Sequence, residues 1–251
     1  MTTAVSTTFA KGLSLFRAFD QGPSHLTLAD IARRTGLDRA SVRRLTLTLV
    51  DLGYVVKEDR HYALTPKVLV LAGSFLRGNG FGIRIQPVLD RFATELGSEL
   101  SMAMIDETEA VYVAKSTLGS TAVSFGFTIG SRLPLAPTAI GRMLLAGETD
   151  ARRHALLETI PLEAHTPRSV TDRALLRTEI EVIRLKGQAT VTAEFEPGIT
   201  GIAVPLAPIR GALAVLGASG PEGRLAEDAS HQRYLDVLRA CAAEISRSAT
   251  A

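Results

Sequence analysis

Residues 27–64, TLADIARRTGLDRASVRRLTLTLVDLGYVVKEDRHYAL, decide the fold of the N-terminal part of the chain. Thr27 and Asp30 have the spacing of a capping box, which predicts a helix starting directly after Thr27. Gly36 is expected to end this helix, because glycine tolerates a positive φ just past a helix end. Asp38 then provides an N-cap for a second helix.

The second predicted helix has one apolar side and one basic side. Its apolar side consists of residues that recur at helical spacing: Val42, Leu45, Leu49 and Leu52. The opposite side carries Ala40, Arg43 and Leu47, with Arg39 and Arg44 on the flanks. Such charges are often only solvated, but a core-packed helix whose outer face begins this way is also suited to the major groove of DNA.

A β-hairpin is predicted after this helix. The segments 54–56 and 62–64 have strand character and flank the polar run 57–61. Helix, turn, helix and hairpin in this order predict a winged helix-turn-helix. The combination favours DNA binding over a merely solvated helix face.

Seven residues are candidates for DNA contact. Arg43 and Arg44 are expected to reach base edges or phosphates, and Ala40 and Ser41 would permit close approach. The expected contacts to the DNA backbone are those of Arg39, Arg60 and His61. Two such domains on a two-fold dimer would read a palindromic operator.

The same segment carries a family resemblance. LADIARRTGLDRASVRRLTLTLVDLGYV is similar to the DNA-binding segment of IclR-type bacterial transcriptional regulators, with the pattern L-x-E-I-A-x-x-T-G-L-x-x-S/T-V-x-R-L-L-x-x-L-x-x-x-G-Y. Asp30, Ser41 and Arg44 stand at its acidic, hydroxyl and arginine positions. The match departs at Thr46, where a leucine is common.

Composition allows a winged helix plus one larger domain, since the chain has 251 residues and 46% hydrophobic content. Residues 1–78 hold 11 Lys and Arg against 6 Asp and Glu, whereas the remainder holds 17 against 20. This asymmetry fits a DNA-binding domain on a body that does not contact DNA. One cysteine, no long apolar run and no secretion signal favour a cytoplasmic protein without disulfides or membrane spans.

Two helices are predicted to flank the winged helix. The first contains Phe9, Leu13, Phe16 and Phe19, and either supports the core or pairs with its twin in a dimer. The second is a linker helix capped by Thr65-Pro66. Its apolar face comprises Val68, Leu71, Ala72 and Phe75. Glycines at 78–82 are interpreted as a hinge, so the expected divisions are 1–64, 65–80 and 81–251.

The remaining chain predicts a mixed α+β domain with an antiparallel sheet. Its predicted helices cover 85–96, 135–146, 150–159, 172–186 and 225–247. Its predicted strands cover 99–106, 110–116, 121–128, 189–195, 201–207 and 212–218.

This region also resembles IclR regulators, whose effector domain is GAF-like. The stretches GSRLPLAPTAIGRMLLA (130–146) and EFEPGITGIAVP (194–205) are similar to two family segments. ALTPKVLVLAGSFL (63–76) and SRLP…GRMLLA (131–146) look most like the branch that controls protocatechuate and p-hydroxybenzoate catabolism. The resemblance places effector-contacting positions at Val191, Gly201, Gly217 and Ser219. Three of these lack a polar side chain, which predicts a larger, more apolar pocket that suits a ring or longer chain.

A small carboxylic acid effector would need polar partners. The backbone N–H groups near Thr138, at the start of a helix, are suited to bind a carboxylate. Arg132 could pair with it in a bidentate manner, and Ser124 is a further candidate. Glu194 either closes the pocket or pairs on the surface.

An enzyme is not favoured, because no nucleophile elbow, P-loop or metal-binding cluster is found and no cofactor is expected. Cys241 is interpreted as a core residue. We therefore predict a ligand-responsive, homo-oligomeric, DNA-binding regulator, dimeric or tetrameric. The alternatives are an enzyme domain fused to a winged helix, and a DNA-binding protein that responds to no effector.

Overall fold

The computed structural model describes residues 5–20, 22–117 and 127–250. By internal contacts the chain divides into two units, Met1–Phe75 and Leu76–Ala251. The first contains the winged helix-turn-helix, and the second a six-stranded antiparallel sheet with helices on both faces. The predicted α+β class is confirmed.

The first unit consists of short helices and one hairpin. Helix α1 (Thr7–Ser14) continues into a 3₁₀ turn (Leu15–Phe19), and α2 (Leu28–Thr35) and α3 (Arg39–Asp51) follow. Strands β1 (Val55–Glu58) and β2 (His61–Leu64) form the antiparallel wing. Each strand is one residue longer than predicted, because Lys57, Glu58 and His61 join the ladder while Tyr54 precedes it.

The core of this unit differs from the predicted N-terminal stripe. Phe9 and Leu13 are 68% and 52% exposed, so of the two predicted alternatives the core applies only to Phe16 and Phe19, which pack against it. The helix changes to a 3₁₀ turn at Leu15, which changes the residue spacing and directs Leu15 into the core.

The apolar side of α3 is also shifted. Val42, Leu45 and Leu49 are buried as predicted, but Leu52 is 50% exposed and Thr46 is 1% exposed. Leu52 is the C-cap and lies outside the helix. Thr46 follows Val42 by four residues and therefore lies on the same helical stripe.

Helix α4 (Lys67–Gly78) starts where predicted, and the Thr65 hydroxyl accepts a hydrogen bond from the Lys67 N–H at 3.3 Å. No residue of α4 is buried. The Gly78 position predicted as hinge is helical, but Gly80 has a φ of +71° and precedes a π-helical turn, Phe81–Ile85.

The second unit contains the remaining elements. Its helices are α5 (Gln86–Leu96), α6 (Ala139–Gly147), α7 (Asp150–Thr159), α8 (Arg173–Lys186), α9 (Glu222–Leu225) and α10 (Asp228–Thr250). Its strands are β3 (Leu100–Asp106), β4 (Glu109–Lys115), β5 (Arg132–Pro134), β6 (Ala189–Thr192), β7 (Ile199–Pro205) and β8 (Ala214–Pro221). The sheet order is β5-β4-β3-β8-β7-β6 with antiparallel pairing throughout.

The sheet separates two hydrophobic cores. Met102 and Leu216 belong to the core shared with α5 and α10, whereas their neighbours Ala103 and Val215 belong to the core shared with α6, α7 and α8. This alternation follows from the two-residue period of a strand.

Two predicted elements of this unit need correction. The helix predicted at 135–146 begins at Ala139, because Pro137 precedes an extended Thr138 that acts as the N-cap. Of the strand predicted at 121–128, residues 121–126 lie outside the described residues, and 127–128 form no strand. The short strand β5 was not predicted.

Candidate DNA-binding helix and effector cavity

The start of α2 has the predicted capping box. The Asp30 N–H donates to the Thr27 hydroxyl at 3.2 Å, and the Thr27 N–H donates to the Asp30 carboxylate at 3.0 Å. The Thr27 hydroxyl also donates to this carboxylate at 2.6 Å. These hydrogen bonds lower the pKa of Asp30 to about 2, and the bond from the Thr27 hydroxyl has the largest effect. Gly36 has a φ of +68° and ends the helix.

Helix α3 starts with Asp38, whose carboxylate accepts a hydrogen bond from the Ser41 N–H at 2.9 Å. That bond lowers the pKa of Asp38 below its ordinary value. The half-buried Ser41 thus contributes its backbone to the cap.

The outer face of α3 is accessible. Arg39, Ala40, Arg43 and Arg44 are exposed. Among the described residues, none offers a carboxylate within ion-pair distance of Arg43 or Arg44. Ala40, Arg43 and Arg44 line one shallow surface groove with Leu47, Thr48 and Asp51. The groove therefore presents two guanidinium groups beside a small residue.

The wing turn consists of Asp59 and Arg60. Asp59 has a φ of +54°, and the Glu58–His61 pair closes the hairpin. Arg60 is exposed at the tip, and His61 is half-buried at the start of β2. All seven residues predicted to contact DNA lie in α3 or the wing.

A partly open cavity lies between the first turn of α6 and the sheet, with about 730 Å³ of empty space including its mouth. Its walls come from strands β3, β4, β6, β7 and β8 and from residues 194–196. Of the predicted effector contacts, six line this cavity: Thr138, Val191, Glu194, Gly201, Gly217 and Ser219. Ser124 lies outside the described residues.

Arg132 is not at the cavity. Its guanidinium pairs with Asp106 at 2.7 Å and with Glu109 at 3.2 Å. The structure therefore contradicts the assignment of Arg132 to the effector. The two carboxylates flank the β3–β4 turn, and β5 is paired with β4, so that strand register brings the three groups together.

Aromatic rings line one side of the cavity. The Tyr112 and Phe127 ring centroids are 6.1 Å apart, and those of Phe127 and Phe195 are 6.3 Å apart. Sequence reasoning missed all three rings, which come from distant parts of the chain. Burial raises the pKa of Tyr112, so its phenol is neutral and can donate a hydrogen bond.

Two hydroxyl groups hold the backbone of the segment that carries Phe195. The Thr166 hydroxyl donates to the Ala193 carbonyl at 2.6 Å, and the Ser169 hydroxyl donates to the Glu194 carbonyl at 2.6 Å. Ala193 itself has a φ of +54°. These bonds fix the wall of the cavity that follows β6.

The first turn of α6 faces the cavity with its N–H groups. The Thr138 hydroxyl accepts from the Gly141 N–H at 3.0 Å and donates to the Pro134 carbonyl at 2.8 Å. Within the described residues the N–H groups of Ala139 and Ile140 have no acceptor, and both residues line the cavity. A helix N-terminus with open N–H groups attracts an anion.

Glu194 is buried rather than exposed, so it does not pair on the surface. Its carboxylate accepts from Arg142 at 2.6 Å and from the Val170 N–H at 3.0 Å. Arg142, 3% exposed, also donates to the Ala136 carbonyl at 2.6 Å and pairs with Glu179 at 2.7 Å. The arginine thus compensates the Glu194 charge and ties α6 to the cavity wall.

Two further carboxylates line the cavity. Glu99 pairs with Lys115 at 3.0 Å, and burial raises the pKa of Glu196. Hydroxyl groups of Ser101 and Ser219 complete the polar lining. The site therefore combines an aromatic wall, hydroxyl groups and an open helix N-terminus.

Comparison with known proteins identifies the family of this chain. Residues 78–247 match the family model of the bacterial transcriptional regulator IclR C-terminal domain, and residues 8–59 match the IclR helix-turn-helix domain. The chain belongs to the IclR family. It is a ligand-responsive, DNA-binding transcriptional regulator, as the resemblance implied.

Two relatives confirm the resemblance to the Pca/Pob branch. The chain is 36% identical over 240 residues to the Pca regulon regulatory protein of Pseudomonas putida, which covers 95% of this chain and 82% of that protein. It is 30% identical over 241 residues to the p-hydroxybenzoate hydroxylase transcriptional activator of Acinetobacter baylyi, covering 94% and 89%. The relatives are named as transcriptional regulators rather than enzymes.

Solved structures show the same architecture. An IclR family transcriptional regulator from Brucella abortus is 26% identical with a TM-score of 0.80, covering 97% of this chain and 92% of that one. A double mutant of the PobR inducer-binding domain from Acinetobacter, in complex with 3-hydroxybenzoic acid, is 27% identical with a TM-score of 0.58. That match covers 64% of this chain and 94% of the domain.

Among the described residues, no helix has the length and apolar character needed to cross a bilayer. In the same part of the chain, His, Cys, Asp and Glu side chains form no cluster of three or more suited to a metal ion.

Proposed function

We propose that the cavity binds a monocyclic aromatic carboxylic acid of the hydroxybenzoate type, and that the bound acid changes operator affinity in control of aromatic catabolism. The observation that carries this proposal is that an aromatic wall and the open N-terminus of α6 face one cavity. A ligand with a ring at one end and a carboxylate at the other satisfies both.

The ring would pack against Tyr112, Phe127 and Phe195. Aromatic pairs favour edge-to-face or offset arrangements, and the three side chains already adopt tilted or edge geometries with each other. An aliphatic acid of two or three carbons would leave this wall uncovered.

The carboxylate would accept hydrogen bonds from the N–H groups of Ala139 and Ile140. The helix dipole adds a favourable field at this end of α6, and the Thr138 cap keeps the turn in place. This arrangement recognises an acid without an arginine. The sequence predicted both this helix start and Arg132 as partners of the carboxylate, and the present proposal keeps the helix start alone.

A phenolic hydroxyl on the ring would find hydrogen-bonding partners in the lining. Tyr112, Ser101 and Ser219 are hydroxyl-bearing residues of the lining, and the Tyr112 and Ser101 side chains are hydrogen-bonded to each other. The names of the relatives agree with such a ligand, because one regulates a p-hydroxybenzoate hydroxylase and one was solved with 3-hydroxybenzoic acid.

We further propose that the second unit binds the acid without turning it over. Its described cavity lining contains no histidine or cysteine, which are frequent acid–base and nucleophilic groups. Cys241 lies in the core on the opposite face of the sheet, and burial raises its thiol pKa to about 12. Conversion of the acid by the purified protein would contradict this part of the proposal.

For DNA, we propose that α3 enters the major groove. Arg43 and Arg44 would reach base edges or phosphates, and Ala40 and Ser41 would allow close approach. The contacts from Arg39, Arg60 and His61 would go to the DNA backbone. The support is the accessibility of these arginines on a helix whose other side is core.

The operator-binding form would be a dimer. Several large apolar side chains of the first unit are 46–68% exposed: Phe9, Leu13, Leu69, Val70, Leu71 and Phe75. Exposed apolar groups at this density mark a protein interface. A second copy is the suitable partner, because two winged helices about a two-fold axis read a palindrome.

A thermal-shift screen on the full-length protein tests the effector. We expect saturating 3-hydroxybenzoate, 4-hydroxybenzoate or protocatechuate to raise the melting temperature by about 5 °C or more. Succinate and benzyl alcohol, which lack the ring and the carboxylate respectively, should have little effect. A larger shift with succinate, or none with any aromatic acid, would refute the proposed ligand class.

A further inference from the structure

Two glycines lie beneath the first turn of α6. Gly201 on β7 and Gly217 on β8 belong to neighbouring strands of the sheet. A Cβ atom built on Gly217 would lie 2.6 Å from Cγ1 and 2.9 Å from Cδ1 of Ile140. A Cβ atom built on Gly201 would lie 3.3 Å from Cβ of Ala139. The helix therefore fills the space that side chains on the sheet would take.

Backbone conformation does not require glycine at either position. Neither Gly201 nor Gly217 is among the residues with positive φ, so both conformations are open to alanine. The close approach of α6 is the remaining reason. This observation corrects the sequence interpretation, in which the missing side chains enlarge the pocket, because Ile140 occupies the room at Gly217.

The two positions differ in how easily a methyl group could be accommodated. At Gly217 the added atom would also lie 3.2 Å from the Ile202 carbonyl oxygen, which belongs to the sheet backbone. Ile140 is β-branched and stiff at χ1 in a helix, so its Cγ1 cannot swing away freely. At Gly201 a shift of a few tenths of an ångström relieves the contact.

Ile140 has two roles at the cavity. Its side chain forms part of the lining, and its N–H is one of the two open groups at the start of α6. Displacing Ile140 would therefore either reduce the space for a ring or lift the N–H groups away from a bound carboxylate. Both changes would weaken binding of an aromatic acid.

We infer that Gly217 is a specificity-determining residue that acts through Ile140. Because Gly217 has no side chain, the first turn of α6 packs directly against the sheet, and we call this contact the seat of α6. The seat determines the space available for a ligand ring and the position of the N–H groups that would bind the carboxylate. The choice of an aromatic acid as ligand rests on the proposed function. Gly220, on the same strand, serves as the matched control, because it does not line the cavity and a Cβ atom built on it would lie no closer than 3.4 Å to a neighbouring side chain.

Calorimetric titration of the full-length protein with 3-hydroxybenzoate tests the seat. Gly217→Ala should weaken binding by about tenfold or more, and Gly220→Ala by less than about threefold. In an Ile140→Ala background, which lacks the colliding atoms, Gly217→Ala should change the affinity by less than about threefold. The loss from Gly217→Ala must therefore depend on the Ile140 side chain.

Equal losses for Gly217→Ala and Gly220→Ala would overturn the inference, as would a Gly217→Ala penalty that persists without the Ile140 side chain. If the wild-type protein binds no aromatic acid, the proposed function fails, and melting temperatures of the ligand-free proteins decide on the seat. Gly217→Ala should then lower the melting temperature more than Gly220→Ala, and Ile140→Ala should remove that difference. If the difference is absent or persists, the seat is wrong.

Discussion

Helices α4 and α6 are similar in sequence character but opposite in environment. KVLVLAGSFLRG and AIGRMLLAG are both rich in apolar residues, yet α4 has no buried residue and α6 has all but one of its residues buried. Helix α6 is covered by its own subunit, through α8 and the sheet. Composition thus predicts that a helix has an apolar side, whereas the surface that covers this side depends on the rest of the fold or on a second copy.

The largest expected effect is at α4. Leu71 is 60% exposed, and Leu71→Glu would place a charge in the proposed dimer interface. We expect sedimentation of a monomer and a loss of operator affinity of about 100-fold or more, because two linked half-site contacts become one. Analytical ultracentrifugation and fluorescence anisotropy measure the two effects.

Leu185→Glu is the matched control, because Leu185 on α8 is 79% exposed and lies outside the first unit. This variant should keep the wild-type assembly and operator affinity. If the Leu71 variant remains a dimer at wild-type affinity, α4 is not the pairing surface.

The next effect concerns α6. Leu144 is fully buried, so Leu144→Ala should lower the free energy of unfolding by about 2–5 kcal/mol through lost burial and a cavity. Leu185→Ala should change it by less than about 0.5 kcal/mol. Urea unfolding followed by circular dichroism at one protein concentration compares them. Similar values for both would mean that α6 is not packed as described.

Arg44→Ala tests the DNA face and should cost about 1–3 kcal/mol of binding free energy at the specific operator if the contact is to a base. Non-specific DNA should be affected less. Arg152→Ala, which removes an exposed arginine of α7 paired with Glu148, is the charge control. Wild-type operator affinity of the Arg44 variant would remove this residue from the interface.

The smallest effect is a pH dependence at the start of α2. The pKa of Asp30 is lowered from 3.8 to about 2, so its contribution to stability is complete above about pH 4 and disappears as the pH falls through about 2. Asp30→Asn should reduce the loss of stability at acid pH. Circular dichroism from pH 5 to pH 1.5 measures this loss. If this variant loses as much stability at acid pH as the wild type, the capping box is not the cause of the loss.

Local signals predicted much of the first unit. The Thr27–Asp30 box, Gly36 and the Asp38 cap each involve residues close in sequence, and the structure places all of them as expected. Thr46 escaped prediction because a hydroxyl in an apolar stripe gives no periodic signal. The exposure of α4 also escaped, since periodicity does not reveal what covers an apolar face.

The cavity depends on long-range pairing. Ser101 and Gly217 are neighbours only because β3 pairs with β8, and Arg132 meets Asp106 only through the register of β4 and β5. The resemblance predicted which strand positions line the cavity. It did not predict the aromatic wall or the Ile140 contact, which require coordinates.

One measurement tests most directly whether the acid bound at α6 controls the DNA-binding unit. The operator dissociation constant of the full-length protein would be measured, on a palindromic site selected from random DNA, with and without saturating 3-hydroxybenzoate. We expect a change of about fivefold or more, and by linkage the operator should change the affinity for the acid by the same factor. Binding of the acid with an unchanged operator dissociation constant would contradict this coupling.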